Sequence, residues 1–468
     1  MVMLIHGREN NETAVVGGYT AAPRTANEAT FMFNPKLAKI GYSSVATPGF
    51  LHGIWTAFRR FGSGRIAWQE LLVPTIYLIK RGFPISNNFA EAIKERHKEI
   101  NSEKSMATAF NVALTEGEIF VDPIHAEFLR RLSLSRDPVE MFYRGEIASE
   151  IIYEMIERGG LLTKFDLAGY QATVERAQET ILPNGFTLKG PPSPSAFLAL
   201  SLIVEIMMNR YSNRSNVSFD GMYLRELLMT QRDAIARFEQ IGDPDFVTGF
   251  PIVINLQSNH IETSGILNEE ADMRNLNGRS SVGSHINVID RHGLAVSFSS
   301  SLNSKFGSVR RSLKGGFVWN NDISAFNVID DEDSEDKHVN GVAGRKRPRT
   351  SMIPFMLFDD RGQLVSSFGI TGSVNSILAA AQVLLNQMLF NKDFLSSVEA
   401  PRIFAKSVGA SFESGFPAKL LSEVSEGLSL TSLLTHDSIV HSLKIHENNV
   451  VEAVCDFRDN VDSCAKGF

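Results

Sequence analysis

The chain has 468 residues, 43% hydrophobic and 21% charged, the balance of an ordinary globular protein with enough material for a sizeable core. A net charge of −7, from 46 Lys and Arg against 53 Asp and Glu, argues against a general nucleic-acid binder, which needs an excess of cations for phosphate contacts. Two cysteines exclude a disulfide-dense scaffold and a metal site built on several thiolates.

The length suggests two or three domains of roughly 150 residues, or one large fold. Met1-Val2-Met3-Leu4-Ile5-His6 reads as a strand with no polar lead-in, as though the chain begins inside its own fold. To about residue 250 the pattern is mainly helical. Residues 66–80, 139–158, 165–180, 196–210 and 223–240 carry apolar side chains at spacings of three and four. Gly82-Phe83-Pro84, Gly159-Gly160, Pro183-Asn184-Gly185 and Gly242-Asp243-Pro244 punctuate the joints.

The second half is strand-rich. Three hairpins are expected: 285–290 with 294–301, 352–358 with 363–369, and 438–445 with 450–456, each around a polar or glycine turn. A helix is expected over 375–390 between the second and third. Hairpins with amphipathic helices predict antiparallel sheets covered by helices. The longest apolar stretches, 197–208 and 377–390, are too short or too interrupted to span a bilayer, and no signal peptide is visible. Cys455 and Cys464 are close enough for a local disulfide, with two free thiols as the alternative. Sequons stand at Asn11, Asn213 and Asn216.

Residues 330–336 hold six acids, and Arg345-Lys346-Arg347-Pro348-Arg349 follows. Opposite charge blocks around Gly341 and Gly344 read as a solvated surface loop rather than a nuclear signal or an anion patch. No HExxH, P-loop, Rossmann fingerprint, CxxC or GxSxG motif is present. Ser297, Ser299 and Ser301 share one strand face and Ser300 takes the other, so the serine run reads as a polar strand face, not a nucleophile.

Five stretches carry a wider resemblance. They are Thr47-Pro48-Gly49, residues 71–84 (LLVPTIYLIKRGFP), Phe142-Tyr143-Arg144-Gly145 through Gly159-Gly160 to Tyr170, Gly242-Asp243-Pro244, and Val398-Glu399-Ala400-Pro401-Arg402. In this order they resemble the γ-glutamyltransferases, or glutathione hydrolases, of the N-terminal-nucleophile hydrolase superfamily. The resemblance implies an α+β fold, a four-layer αββα sandwich, here with the first elements missing. It implies two segments of one intertwined fold: 1–282, helix-rich and large-subunit-like, and 283–468, strand-rich and small-subunit-like. It also implies cleavage of γ-glutamyl bonds of glutathione with transfer to water or an acceptor amine, without cofactor or metal, at the plasma membrane or outside the cell. The implied ligand is glutathione or another γ-glutamyl compound.

Such a precursor cleaves itself when a Thr hydroxyl attacks the preceding peptide bond, and the freed Thr is then the nucleophile. The resemblance places that Thr two residues before a strand His. Here the stretch is Ser280-Ser281-Val282-Gly283-Ser284-His285-Ile286-Asn287, so the nucleophile position is Gly283. Ser284 should point to the opposite face, and Ser281 lies roughly 6–7 Å away along a strand.

The substrate-binding positions carry over one at a time. The carboxylate-clamping Arg position is Tyr19, with Arg24 beyond Pro23. The Thr-x-Asn stretch is Ser301-Leu302-Asn303, and the acidic motif is Asn320-Asn321-Asp322-Ile323-Ser324-Ala325, with Ala325 where an ammonium-holding acid is expected. Thr350 and Ser351 keep two hydroxyls, and the oxyanion Gly-Gly pair is Gly372-Ser373, where the Cβ of Ser373 is expected to disfavour a glycine-type backbone. The charged loop falls where a lid would lie. The alternatives are an active γ-glutamyl enzyme and a non-catalytic relative that binds a partner such as a family enzyme, or is a truncated product.

Overall fold

A computed structural model describes residues 1–8, 11–110, 113–213, 216–247, 282–327, 339–433, 438–459 and 464–467. Two sheets dominate. The first has five strands in the order Thr173–Arg176, Glu12–Gly17, Val2–Gly7, Ala295–Asn303, Val282–Ile289. The second has six, in the order Val451–Val454, Ser438–Ile445, Leu364–Gly372, Phe355–Phe358, Thr187–Gly190, Gln178–Ile181. All three expected hairpins are there as neighbouring strands. The fold is α+β, with antiparallel sheets and helices packed on them.

Alternation along each strand decides what each face meets. In the six-stranded sheet Phe355, Leu357, Phe368, Ile370 and Val440 turn to one side and join the helices Phe197–Tyr211, Gly221–Glu239 and Asn375–Phe390 in one apolar core. The Asn375–Phe390 helix carries no charged residue, and its residues from Ile377 to Leu385 are buried. That composition suits a helix enclosed on all sides. It ends at Asn391, whose backbone is left-handed (φ 48°). The opposite sheet face is polar where it meets the five-stranded sheet: Ser297 Oγ donates to the Phe368 carbonyl (2.8 Å), and Ser367 Oγ donates to Asn287 Oδ1 (2.7 Å).

Packing divides the chain into two compact units. One holds Met1, residues 16–174 and 301–348; the other holds 2–15, 175–300 and 349–468. The first unit has its own apolar clusters, one built around Phe128, Phe142, Tyr143, Met155 and Trp319. Glu154, buried beneath that cluster, accepts from Trp319 Nε1 (3.1 Å), Ser312 Oγ (3.1 Å) and the Leu313 amide (3.0 Å). In the second unit a buried charge network fixes the end of the chain. Arg402 and Arg458 both pair with Asp456 (2.7 and 2.9 Å), and Arg458 also pairs with Glu413 (2.6 Å).

Three expectations are corrected. The helix expected over 139–158 is two, Pro138–Tyr143 and Glu146–Arg158, because the backbone leaves helical geometry at Arg144 (φ −133°) and Gly145 (ψ −146°) between them. The helix expected over 165–180 stops at Ala168. Gly169 ends it, and the β-branched pair Thr173-Val174 opens an extended run. The basic run is not a solvated loop, since Lys346 and Arg349 are 3% and 6% exposed. There the Arg345 amide donates to the Ala22 carbonyl, and the Ala22 amide to the Lys346 carbonyl (both 2.8 Å). Arg349 Nη1 donates to the Phe238 carbonyl (3.2 Å). The acidic block 330–336 and Ser281 lie outside the described residues.

Candidate functional site

The Val282–Ile289 strand alternates as an edge strand should. Gly283, His285, Asn287 and Ile289 are half-buried, while Ser284, Ile286, Val288 and Asp290 are exposed. Gly283 therefore shares a face with His285, and Ser284 points the other way. The inner face is tightly furnished. His285 Nδ1 lies 2.9 Å from Ser299 Oγ, and its ring presses on Gly369, where a Cβ would sit 1.8 Å from Cε1. Burial, with a smaller push from His441, holds the His285 pKa down to about 3, so the ring is neutral at physiological pH. Asn287 Nδ2 donates to the His441 carbonyl (3.2 Å).

Sequence reasoning did not single out Ser299, Asn287, Gly369 or His441 as neighbours of this strand. Strand parity alone brings Asn287 to the inner face. The partners on other strands depend on sheet register, which no single strand reveals.

The same unit holds four more expected positions. Thr350 is set by backbone bonds on both sides, its amide donating to Pro194 and its carbonyl accepting from Ala196 (both 3.0 Å). Its Oγ1 accepts from the Met352 amide (3.2 Å), and Ser351 is half-buried beside it. Gly372 ends its strand with φ 118°, a conformation that favours glycine. Ser373 follows and turns the chain toward the Asn375–Phe390 helix, its Oγ accepting from the Asn375 amide (3.2 Å). The left-handed backbone falls on the glycine of the pair.

The first unit gathers the rest. Tyr19 is buried, and its carbonyl accepts the Tyr170 hydroxyl. The next residue, Thr20, hydrogen-bonds the Asp322 side chain. Burial raises the Asp322 carboxyl to about 6, against the opposing pull of Thr20 and the Met1 α-amine. So the segments carrying the Tyr19 and Asp322 positions meet. Asp322 opens a single 3-10 turn, Asp322–Ala325, that buries the Ala325 methyl. Asn303, at φ 74°, spends its amide on the Asn321 carbonyl (3.2 Å) and Ser324 Oγ (2.8 Å). Ser301 Oγ accepts from the Asn303 amide (2.8 Å). Arg24 is directed elsewhere: its guanidinium lies over Phe165 (5.6 Å), and its amide donates to Asp166 (2.7 Å).

An open cleft of ≈ 1490 Å³ is lined by Gly293, residues 359–365 and residues 446–450, at the hairpin turns. It lies at the opposite strand ends from Gly283 and Gly372, away from the expected site.

A sequence profile of the family described as Gamma-glutamyltranspeptidase matches residues 1–465. The chain belongs to the gamma-glutamyltranspeptidase family. Relatives of this family member include glutathione hydrolase 2 of Arabidopsis thaliana, 28% identical over 86% of this chain and 71% of that one. The glutathione hydrolase proenzyme of Bacillus subtilis strain 168 is 25% identical over 98% and 82%. Scoloptoxin SSD14 of Scolopendra dehaani is 24% identical over 90% and 76%. Among solved structures, a cephalosporin acylase from Bacillus halodurans aligns over 98% of this chain and 85% of its own, with a TM-score of 0.79 at 18% identity, a likeness of fold.

Proposed function

We propose that this gamma-glutamyltranspeptidase-family protein neither cleaves itself nor turns over γ-glutamyl compounds, and that it persists as one polypeptide. The observation that carries the reading is the half-buried Gly283 on the His285 face of its strand, with the neighbouring hydroxyl of Ser284 on the exposed face. A nucleophile on that face needs Thr, Ser or Cys, since the attacking oxygen or sulfur must form and then release an acyl bond. Glycine supplies no such atom.

The recognition positions support the same reading. Tyr19 offers a neutral phenol where a bidentate guanidinium would grip a carboxylate, and the Ala325 methyl replaces an acid that would hold an ammonium. Each lost charge-assisted contact is worth about 1.5–3 kcal/mol, so affinity for an amino-acid head group falls by several orders of magnitude. Residues 1–282 and 283–468 are then lineage segments of an uncut chain, and a binding role toward a family enzyme is what remains open to it. The closed Cys455–Cys464 disulfide favours an oxidising compartment, in keeping with a plasma-membrane or extracellular location. No helix among the described residues is long and apolar enough to cross a membrane.

The test is release of a chromophore from a γ-glutamyl anilide by the purified protein and by Gly283→Thr. The wild-type protein is expected to match buffer, and release above buffer by the wild-type protein overturns the proposal. Self-cleavage in Gly283→Thr would place the loss at this one position.

A further inference from the structure

We propose that the Cys455–Cys464 disulfide, together with His441 and Asp459, forms a thiol–disulfide exchange site for low-molecular-weight thiols. The site adjoins the Gly283 strand through the His441 backbone, whose carbonyl accepts from Asn287 Nδ2, but it does not rest on the reading given for the γ-glutamyl positions.

The parts are close and ordered. His441 lies on the Ser438–Ile445 strand, and its Nε2 is 3.0 Å from Asp459 Oδ2. A carboxylate there makes Nε2 the protonated nitrogen and leaves the Nδ1 lone pair for the other side. Nδ1 faces Cys464 Sγ at 3.8 Å. Cys464 is exposed and Cys455 half-buried, so a small thiol has access. The turn that carries Asp459 is anchored by the buried pairs of Asp456 and Arg458 with Arg402 and Glu413. Those pairs already hold Asp456 and Arg458, the residues just after Cys455. A staple closing nine residues adds little to them, and a staple needs no imidazole–carboxylate pair at one of its sulfurs.

The chemistry follows from leaving-group ability. The thiolate of an incoming thiol attacks Cys455 Sγ. The sulfur–sulfur bond breaks, and its electron pair leaves on Cys464. The proton given up by the incoming thiol reaches His441 Nδ1 through solvent, and Nδ1–H donates to the departing Cys464 thiolate. Asp459 keeps the ring oriented throughout and is a positioning residue. A second thiolate attacks the outer sulfur of the mixed disulfide. Two thiols are thus oxidised to one small disulfide, and the protein disulfide is reduced to two thiols. Exchange is fastest through the sulfur that leaves most readily, so His441 steers attack to Cys455 although Cys464 is the more exposed.

The test incubates the oxidised protein with reduced glutathione, quenches with N-ethylmaleimide, and maps the peptides. Glutathione is expected first on Cys455, with maleimide on Cys464. His441→Gln should slow reduction about tenfold and move glutathione toward Cys464, with Asp459→Asn intermediate in both. The wild-type protein unfolded in urea, run in parallel, should lose the preference for Cys455 without any substitution. Equal rates and unchanged positions in the variants overturn the proposal. So does the same distribution in native and urea-unfolded wild-type protein, a result that holds even if a variant fails to fold.

Discussion

Gly369→Ala tests the packing beneath the Gly283 strand. The new methyl would lie 1.8 Å from His285 Cε1 and 2.0 Å from Nδ1. Carbon contacts relax only near 3.5–4.0 Å, so ring or strand must move by about 1.5–2 Å. The ring cannot swing away without leaving Ser299 Oγ, 2.9 Å from Nδ1. Overpacking costs about 1–3 kcal/mol and the lost hydrogen bond about 1 kcal/mol, so about 2–4 kcal/mol in all. Urea unfolding of wild-type protein, Gly369→Ala, His285→Ala and the double variant reads this directly. Removing the ring removes the clash, so the double variant should be more stable than the sum of the single losses predicts, by about 1–3 kcal/mol. Additive losses, or a Gly369→Ala loss under about 0.5 kcal/mol, would refute the argument that this glycine exists to admit the histidine.

His285 also predicts a pH dependence. With a folded pKa of about 3 against about 6.5 unfolded, only the unfolded chain takes up this proton between those values. Its stabilisation is complete above about pH 6.5 and lost as pH falls toward 3, about 2 kcal/mol of it by pH 5. Unfolding curves at pH 7 and pH 5 should show that loss in wild-type protein and a smaller one in His285→Gln; equal losses would discount the buried ring. For Asp456, burial opposes ionisation, but Arg402 and Arg458 outweigh it and hold the pKa below the usual value. Its contribution is present above about pH 4 and lost as pH falls through the depressed value. Asp456→Ala leaves the buried Arg402 guanidinium without its paired carboxylate and takes one of two from Arg458, and should cost about 3–5 kcal/mol by urea unfolding. A loss under about 1 kcal/mol would show that water or Glu413 satisfies both arginines.

Local signals read well where one residue or one period decides the structure. The Asn375–Phe390 helix and the strand from Ser438 to Ile445 follow their apolar spacing closely. The opposite-face placement of Ser284 follows from strand parity alone. What failed was set by single breaks or by distant partners. Spacing of three and four runs through Gly145 and past Gly169, yet the chain breaks at Arg144-Gly145 and the Lys164–Ala168 helix ends at Gly169. Lys346 and Arg349 look solvated in sequence because nothing local announces the segments that bury them. The expected binding positions split the same way. Tyr19 and Asp322 are more than 300 residues apart, and only the fold brings Thr20, the neighbour of Tyr19, to Asp322.

The most direct test of the central claim is the intact mass of the purified full chain after prolonged incubation in its native state. An uncut polypeptide of 51.8 kDa is expected, because Gly283 has no atom with which to attack the bond before it. Two fragments meeting between Val282 and Gly283 would contradict the account.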